Sequence, residues 1–216
     1  MRPDALDIGS VCGLVLAGGR ATRMGGLDKG LQPYRGQTLA AHALARLGQQ
    51  TAGTLGMLAI SANRNLDAYR QMGVPVWNDT FPDFAGPLAG FLTAMRQCEG
   101  RFAYVLAVPC DSPLFPLDLL ERLADAMLQQ NAPIAMPLAP DAQEPHGALH
   151  PQPAFCLMRT DLADSLQTFL DQGGRKIGAW TASQGQVKVP FNAPGDDPMA
   201  FANANTLDDL HQLETR

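Results

Sequence analysis

The apolar positions of this chain fall into short unbroken runs separated by helical stripes. Runs at residues 11–17, 55–62, 74–77, 102–108, 134–138, 154–158 and 187–191 have strand length. Several are continuous rather than alternating, which predicts strands buried on both faces, as in a parallel sheet. Between them the period changes. From Thr38 onward Leu39, Ala43, Leu44 and Leu47 share one helical face, and residues 66–72 form a short helical stretch stopped by Gly73. Pro87, suited to a first helical turn, precedes Leu88, Phe91, Leu92 and Met95 at i, i+3, i+4 and i+7. Pro116 precedes a stripe of Leu120, Leu123, Ala124, Met127 and Leu128. Thr160 is expected to cap a helix bearing Leu162, Leu166, Phe169 and Leu170, and a further short helix is expected over 175–183. Thr206 with Asp209 resembles a capping box opening a last helix with Leu210 and Leu213. Residues 139–153 are polar, hold Pro140, Pro145, Pro151 and Pro153 with His146 and His150, and predict a long loop.

Strands alternating with helices predict an α/β fold: a single three-layer α/β/α domain around a mostly parallel central sheet. No repeat, linker or low-complexity tract divides the chain, and 216 residues suffice for a sizeable core. Ligands of such sheets bind beyond the carboxyl ends of the strands. The polar residues follow that rule: Gly18 and Gly19 after the first strand, Ser61 and Asn63 after the second, Asp79 after the third, Asp111 after the fourth.

Composition narrows the field. With 46% hydrophobic residues and a net charge of -5, the chain is globular and lacks the basic surface expected of a nucleic-acid binder. Cys12, Cys98, Cys110 and Cys156 form no CxxC pair and are expected as reduced thiols. No run approaches the roughly 18 apolar residues of a membrane span. The first ten residues do not have the pattern of a secretory signal. A cytoplasmic protein, without membrane or nucleic-acid partners, is the expectation.

The chemistry concentrates in GLVLAGGRATRMGGLDKG, residues 13–30. It is neither a Walker loop nor a GxGxxG fingerprint. Glycines still let backbone N–H groups approach a phosphate, and Arg20, Arg23 and Lys29 can neutralise one. The competing reading is a solvated cationic turn. Asp111, just past a buried strand, suits Mg²⁺, which takes one or two carboxylates with phosphate oxygens and water; a turn aspartate ahead of Pro113 is the alternative. Asp79 follows Asn78 in a common turn pair. Asn203 and Asn205 either cap the last helix or face a ligand, and Arg175 with Lys176 is either a basic turn or a phosphate clamp. Cys110 has no neighbouring base in AVPCD and is not a nucleophile.

Taken together, LAGGRATRMGGLDKG, SANRN (61–65), WND (77–79), GPLAG (86–90), PCDSP (109–113) and FANANT (201–206) resemble the nucleotidyltransferases that act on sugars and cofactors, and most of all the molybdenum cofactor guanylyltransferases. The resemblance covers about residues 11–213. It implies a Rossmann-like nucleotidyltransferase fold, with a tail at 1–10, a nucleotide-binding half at about 11–112 and an acceptor-binding half at about 113–213. It implies transfer of GMP from GTP to molybdopterin or Mo-molybdopterin with release of pyrophosphate and Mg²⁺ as cofactor. Transient contacts with cofactor-delivering proteins and acceptor molybdoenzymes would follow, and a monomer is expected. By the same resemblance Leu16, Ala17, Gly18, Gly19, Arg20, Ser61, Asn63 and Asp79 would contact GTP. Arg23, Lys29 and Asp111 would carry the chemistry, with Lys29 on the phosphates and Asp111 on the metal. Arg175, Lys176, Asn203 and Asn205 would lie on the pterin side. The family often has Asn where this chain has Ser61; a hydroxyl offers fewer groups than an amide to a base edge, and Asn63 is the residue placed to compensate. The rival readings are a molybdopterin cytidylyltransferase, a sugar-phosphate nucleotidyltransferase and a non-catalytic nucleotide sensor. Against the pyrimidine users stands LAGG, whose glycines leave room for a purine.

Overall fold

The computed structural model describes residues 5–18, 27–79, 81, 86–141 and 144–215. Among these, an eight-stranded sheet forms the middle layer. Its strands are β1 (Val11–Leu16), β4 (Met57–Ser61), β5 (Val76–Trp77), β6 (Tyr104–Pro109), β7 (Ile134–Asp141), β8 (Glu144–Pro151), β9 (Cys156–Arg159) and β10 (Val187–Pro190). A separate small hairpin joins β2 (Pro33–Tyr34) to β3 (Gln37–Thr38). The order across the sheet is β10-β7-β9-β6-β1-β4-β5, with β8 attached to β7. β8 and β9 run against the other strands, so the sheet is mostly parallel, as predicted.

β1 is buried along nearly all of its length because it is the middle of the parallel stretch β6-β1-β4-β5. Gly13 is needed there: a Cβ would lie 2.8 Å from side-chain carbons of both Leu55 and Leu58. Helices cover both faces. α1 (Leu39–Gly48) and α4 (Leu119–Gln130) pack on one face, around Val15, Leu44, Leu106, Leu123 and Met127. α3 (Pro87–Cys98), α5 (Ala163–Asp171) and α6 (Ile177–Ser183) pack on the other, around Leu14, Phe91, Leu166 and Trp180. α2 (Leu66–Arg70) is short and connects β4 to β5. Local signals place the helix starts. The Thr38 hydroxyl accepts from the Ala41 amide at 3.3 Å, Pro87 occupies the first turn of α3, and the Thr206–Asp209 capping box opens α7 (Leu207–Glu214).

Two expectations are corrected. Residues 139–153 are not a long loop: β7 continues to Asp141 and β8 returns antiparallel, pairing Leu138 with Pro151 and Pro140 with Leu149. Their prolines are tolerated because this is a sheet edge, where a missing N–H need not leave a neighbour unpaired. Nor does Thr160 cap an α-helix. A 3₁₀ turn spans Thr160–Leu162 before α5, and the Thr160 hydroxyl donates to the Phe102 carbonyl at 2.9 Å.

The β2–β3 hairpin escapes the sequence pattern yet matters to the site. Arg35 and Gly36 both have positive φ (47° and 80°), the requirement of a tight type I′ turn. Tyr34 is fully buried, its hydroxyl donates to the Leu213 carbonyl at 3.3 Å, and α7 packs on it through Leu210 and Leu213. The C-terminal segment is thereby folded back over the residues that follow β1. Among the described residues no helix is long and apolar enough to cross a membrane.

Candidate active site

The parallel register aligns four strand ends. Leu16 of β1 sits opposite Ser61 of β4 and Pro109 of β6, and Ser61 sits opposite Trp77 of β5. The residues that follow these strands, Ala17 and Gly18, Asn63, Asp79, and Asp111, therefore line one rim. At about 4.8 Å per strand, the three spacings from β5 to β6 separate Asp79 from Asp111 by roughly 14 Å.

One end of the rim is a carboxylate held in a hydrogen-bonded clamp. The Asn63 amide donates to Asp79 Oδ2 at 2.7 Å, and its carbonyl oxygen accepts from the Asp79 backbone N–H at 2.8 Å. Ser61 reaches the other carboxylate oxygen through a long contact of 3.4 Å. Burial pushes the Asp79 carboxyl up from its usual range, and the hydrogen bonds from Asn63 and Ser61 only partly oppose this. Asn63 thus takes the stronger hold on Asp79, and Ser61 a minor one. Close packing fills the floor: a Cβ on Gly90 would stand 2.8 Å from Ser61 Oγ and 3.0 Å from Leu16 Cδ2, and one on Gly18 would stand 3.2 Å from Asn63 Nδ2.

The other end is cationic. Lys29 Nζ donates to Asp111 Oδ2 at 2.9 Å and to Asn205 Oδ1 at 2.9 Å. The backbone joins the same two segments, since the Ala204 N–H donates to the Asp111 carbonyl at 2.7 Å. The Ser112 hydroxyl donates to Asn203 Oδ1. Residues 82, 91 and 176 positions apart in sequence are therefore drawn into one cluster. Beyond it lies an open pocket of about 740 Å³, lined in part by Asp141, Gln152, Phe201, Asn203, Asn205 and Asp209. No cluster of three or more potential His, Cys, Asp or Glu metal ligands occurs among the described residues. Asp111 offers one carboxylate, which would leave most of a cation's shell to phosphate and water; that donor chemistry suits Mg²⁺ and not a closed zinc site, and Lys29 is the ammonium that balances the carboxylate here.

Other anticipated residues fall as follows. Leu16, Ala17 and Gly18 are at the rim, and the Ala17 N–H extends the sheet by donating to the Ser61 carbonyl at 2.8 Å. Gly19, Arg20 and Arg23, with Gly25 and Gly26, lie outside the described residues. Arg175 directs its guanidinium to the carbonyls of Leu170 at 3.0 Å and Gly174 at 2.8 Å, and lies 5.7 Å from the Phe81 ring centroid. It packs on the α3–α5 side, and these contacts do not join it to Asn203 or Asn205; Lys176 beside it is exposed. Cys110 is buried, and burial together with the neighbouring Asp111 charge pushes its thiol well up, in keeping with no nucleophilic role. Asp28 is a further polar residue of this region, absent from those anticipated above. Its signal was an Asp just ahead of the Lys–Gly turn, where an N-cap belongs, and its carboxylate does accept from the Gly30 amide at 3.2 Å.

Comparison with known proteins agrees with this geometry. Residues 13–188 match the MobA-like NTP transferase domain. The molybdenum cofactor guanylyltransferase of Acidovorax sp. (strain JS42) is 54% identical over 211 residues, 97% of each chain. That of Albidiferax ferrireducens is 54% identical over 205 residues, 94% of this chain and 95% of the other. In fold, the crystal structure of molybdopterin-guanine dinucleotide biosynthesis protein A from Archaeoglobus fulgidus superposes with a TM-score of 0.72 at 21% identity, covering 94% of this chain and 97% of that one. A family model matched over most of the chain and relatives 54% identical over nearly its whole length decide the matter: this chain belongs to the molybdenum cofactor guanylyltransferase family of MobA-like NTP transferases.

Proposed function

We propose that this protein transfers GMP from GTP to the terminal phosphate of molybdopterin, with or without bound molybdenum, releasing pyrophosphate. The observation that carries the reading is the polarity of the rim. A clamped, half-buried carboxylate stands at one end and a lysine–carboxylate–amide cluster at the other, about one nucleotide length apart at roughly 4.8 Å per strand. Guanine presents two adjacent N–H donors on its Watson–Crick edge, and a carboxylate is acceptor-only when ionised. Cytosine and adenine each present an acceptor beside their amino group, which an ionised Asp79 would repel. Asn63 would keep Asp79 aimed, while Leu16, Ala17, Gly18 and Gly19 would lie along the nucleotide.

At the other end Lys29, with Arg20 and Arg23 of the glycine loop, would hold the phosphates and stabilise charge on the α-phosphorus and the leaving pyrophosphate. Asp111 would hold Mg²⁺, which when bound supplies charge neutralisation at the α-phosphate. The attacking phosphate oxygen is already anionic, so the side chains need only align it in line with the leaving group. Asn203 and Asn205 border the polar pocket, whose amides and carboxylates are suited to the donor- and acceptor-rich edge of a pterin. The Arg175–Lys176 turn would meet the acceptor from the α5 side.

The test is product formation from competing nucleotides. Purified protein with molybdopterin and Mg²⁺ is offered equimolar GTP, CTP and ATP, and dinucleotides are identified by mass. The guanine dinucleotide with stoichiometric pyrophosphate is expected. A cytosine product, or nucleotide binding without pyrophosphate release, would overturn the reading.

A further inference from the structure

Lys29 is a flexible side chain asked to hold one position between Asp111 and Asn205, and the residue before it is fixed with unusual thoroughness. Asp28 is 9% exposed. Its Oδ1 accepts from the Tyr69 hydroxyl at 2.6 Å and from the Gly30 amide at 3.2 Å, and its Oδ2 accepts from the Asn65 amide at 2.9 Å. Gln32 closes the turn, donating to the Asp28 carbonyl at 2.9 Å. Tyr69 is fully buried, and burial with the Asp28 bond pushes its hydroxyl pKa up, so it stays a donor.

Two features show that the α2 segment is shaped around this carboxylate. Asn65 holds the N-cap position of α2 yet makes no capping bond; it sits in the left-handed region at φ 49° and turns its amide to Asp28 instead. An uncapped helix start and a non-glycine positive φ both cost stability, so the segment gives up local stability for the Asp28 contact. Gly30 makes room on the other side: a Cβ there would stand 2.4 Å from the Tyr69 oxygen. The exposed ion pair of the same helix, Asp67 with Arg70, takes no part.

We propose that Asp28 is a positioning residue for the transfer reaction, with Asn65 and Tyr69 of the α2 segment locking it so that Lys29 is held over the reacting phosphates. This rests on the reading of Lys29 as the phosphate-holding cation. The partners of Asp28 are Gly30, Asn65 and Tyr69, so its effect would pass through the backbone of the turn that carries Lys29. The consequence is that turnover depends on a buried network behind the site, while nucleotide affinity, shared among many contacts, depends on it little.

The test uses the full chain and guanylyl transfer from GTP to molybdopterin, well below each variant's melting temperature. Tyr69→Phe removes one bond, and Asn65→Gly removes the other while suiting the positive φ. Each is expected to lower kcat about tenfold, in line with loss of one hydrogen bond to a charged group, with KM for GTP changed by no more than roughly twofold. Asp67→Asn is expected to leave both constants unchanged. In a Lys29→Ala background, Tyr69→Phe is expected to have almost no further effect, because the two act as one unit. A merely structural role would lower the melting temperature and leave that coupling at zero. Full turnover in both Tyr69→Phe and Asn65→Gly, or independent multiplying effects in the double variant, overturns the proposal while leaving the function intact. Full turnover in Lys29→Ala overturns the reading of Lys29, and the positioning role falls with it.

Discussion

Replacing Asp111 by asparagine separates the chemical role proposed for this carboxylate from its structural one. The Lys29–Asp111 pair is 2.9 Å apart, with side chains 21% and 22% exposed. It lies between the exposed pairs worth about 0.2–1 kcal/mol and the buried pairs whose rupture costs about 3–5 kcal/mol. Asparagine keeps an oxygen that can accept from Lys29, Asn205 still holds the ammonium, and the Asp111 backbone bond to Ala204 is untouched. A stability loss of about 1–2 kcal/mol follows, which for a chain of this size lowers the melting temperature by roughly 2–8 °C. At ordinary assay temperature the variant stays folded. Turnover should fall far more, about 10²- to 10³-fold, the range for one lost electrostatic group at a transition state. Pyrophosphate release under saturating GTP and molybdopterin, paired with thermal unfolding of the same sample, reads both numbers. Turnover within roughly threefold of the parent would remove Asp111 from the chemistry. A melting point lowered far below that range, with activity tracking the folded fraction, would make it a structural residue instead.

Asp79→Asn should raise KM for GTP by roughly tenfold or more and erode selectivity against CTP, since an amide no longer offers two acceptors. The same variant tests pH linkage. Burial raises the Asp79 carboxyl, so its contribution to stability is full below the unfolded pKa of about 3.9 and is lost as pH rises through the raised folded value. The variant should therefore melt at or above the parent at neutral pH, and that advantage should disappear on acidification; an unchanged difference across that window refutes the assignment. Ser61→Ala should change KM for GTP by no more than roughly threefold, because its contact with Asp79 is long at 3.4 Å. Gly90→Ala should cost about 1–3 kcal/mol by overpacking against Ser61 Oγ and Leu16, and Ser61→Ala in the same chain should recover part of that loss in thermal unfolding. Arg122 ties Asp118 and Asp196 together and lies 3.7 Å from the Phe191 ring centroid; Arg122→Ala should lower the melting temperature and leave kcat unchanged.

The sequence by itself determined the layer order, the strands after which polar residues stand, and the helix starts at Thr38, Pro87 and Thr206. Each of these is local: unbroken apolar runs mean strands buried on both faces, and a cap or an N-terminal proline acts within one turn. It also determined which residues to suspect, because Asp79 and Asp111 follow predicted strands within three residues and Lys29 ends the glycine- and cation-rich segment after the first strand. The tertiary structure decided what each one meets. Asn63 and not Ser61 holds Asp79 firmly, a matter of hydrogen-bond lengths at the end of one strand pair. Asn205 reaches Lys29 because the Tyr34 hairpin gives α7 a surface to pack on, and a two-residue strand is too short to show a period. The 139–153 segment pairs as a hairpin because a sheet edge tolerates proline, which no local rule announces. In the sequence Asp28 is only the neighbour of Lys29. Its partners, Asn65 and Tyr69, stand 37 and 41 residues away, and only the packing of α2 against the turn brings them to it.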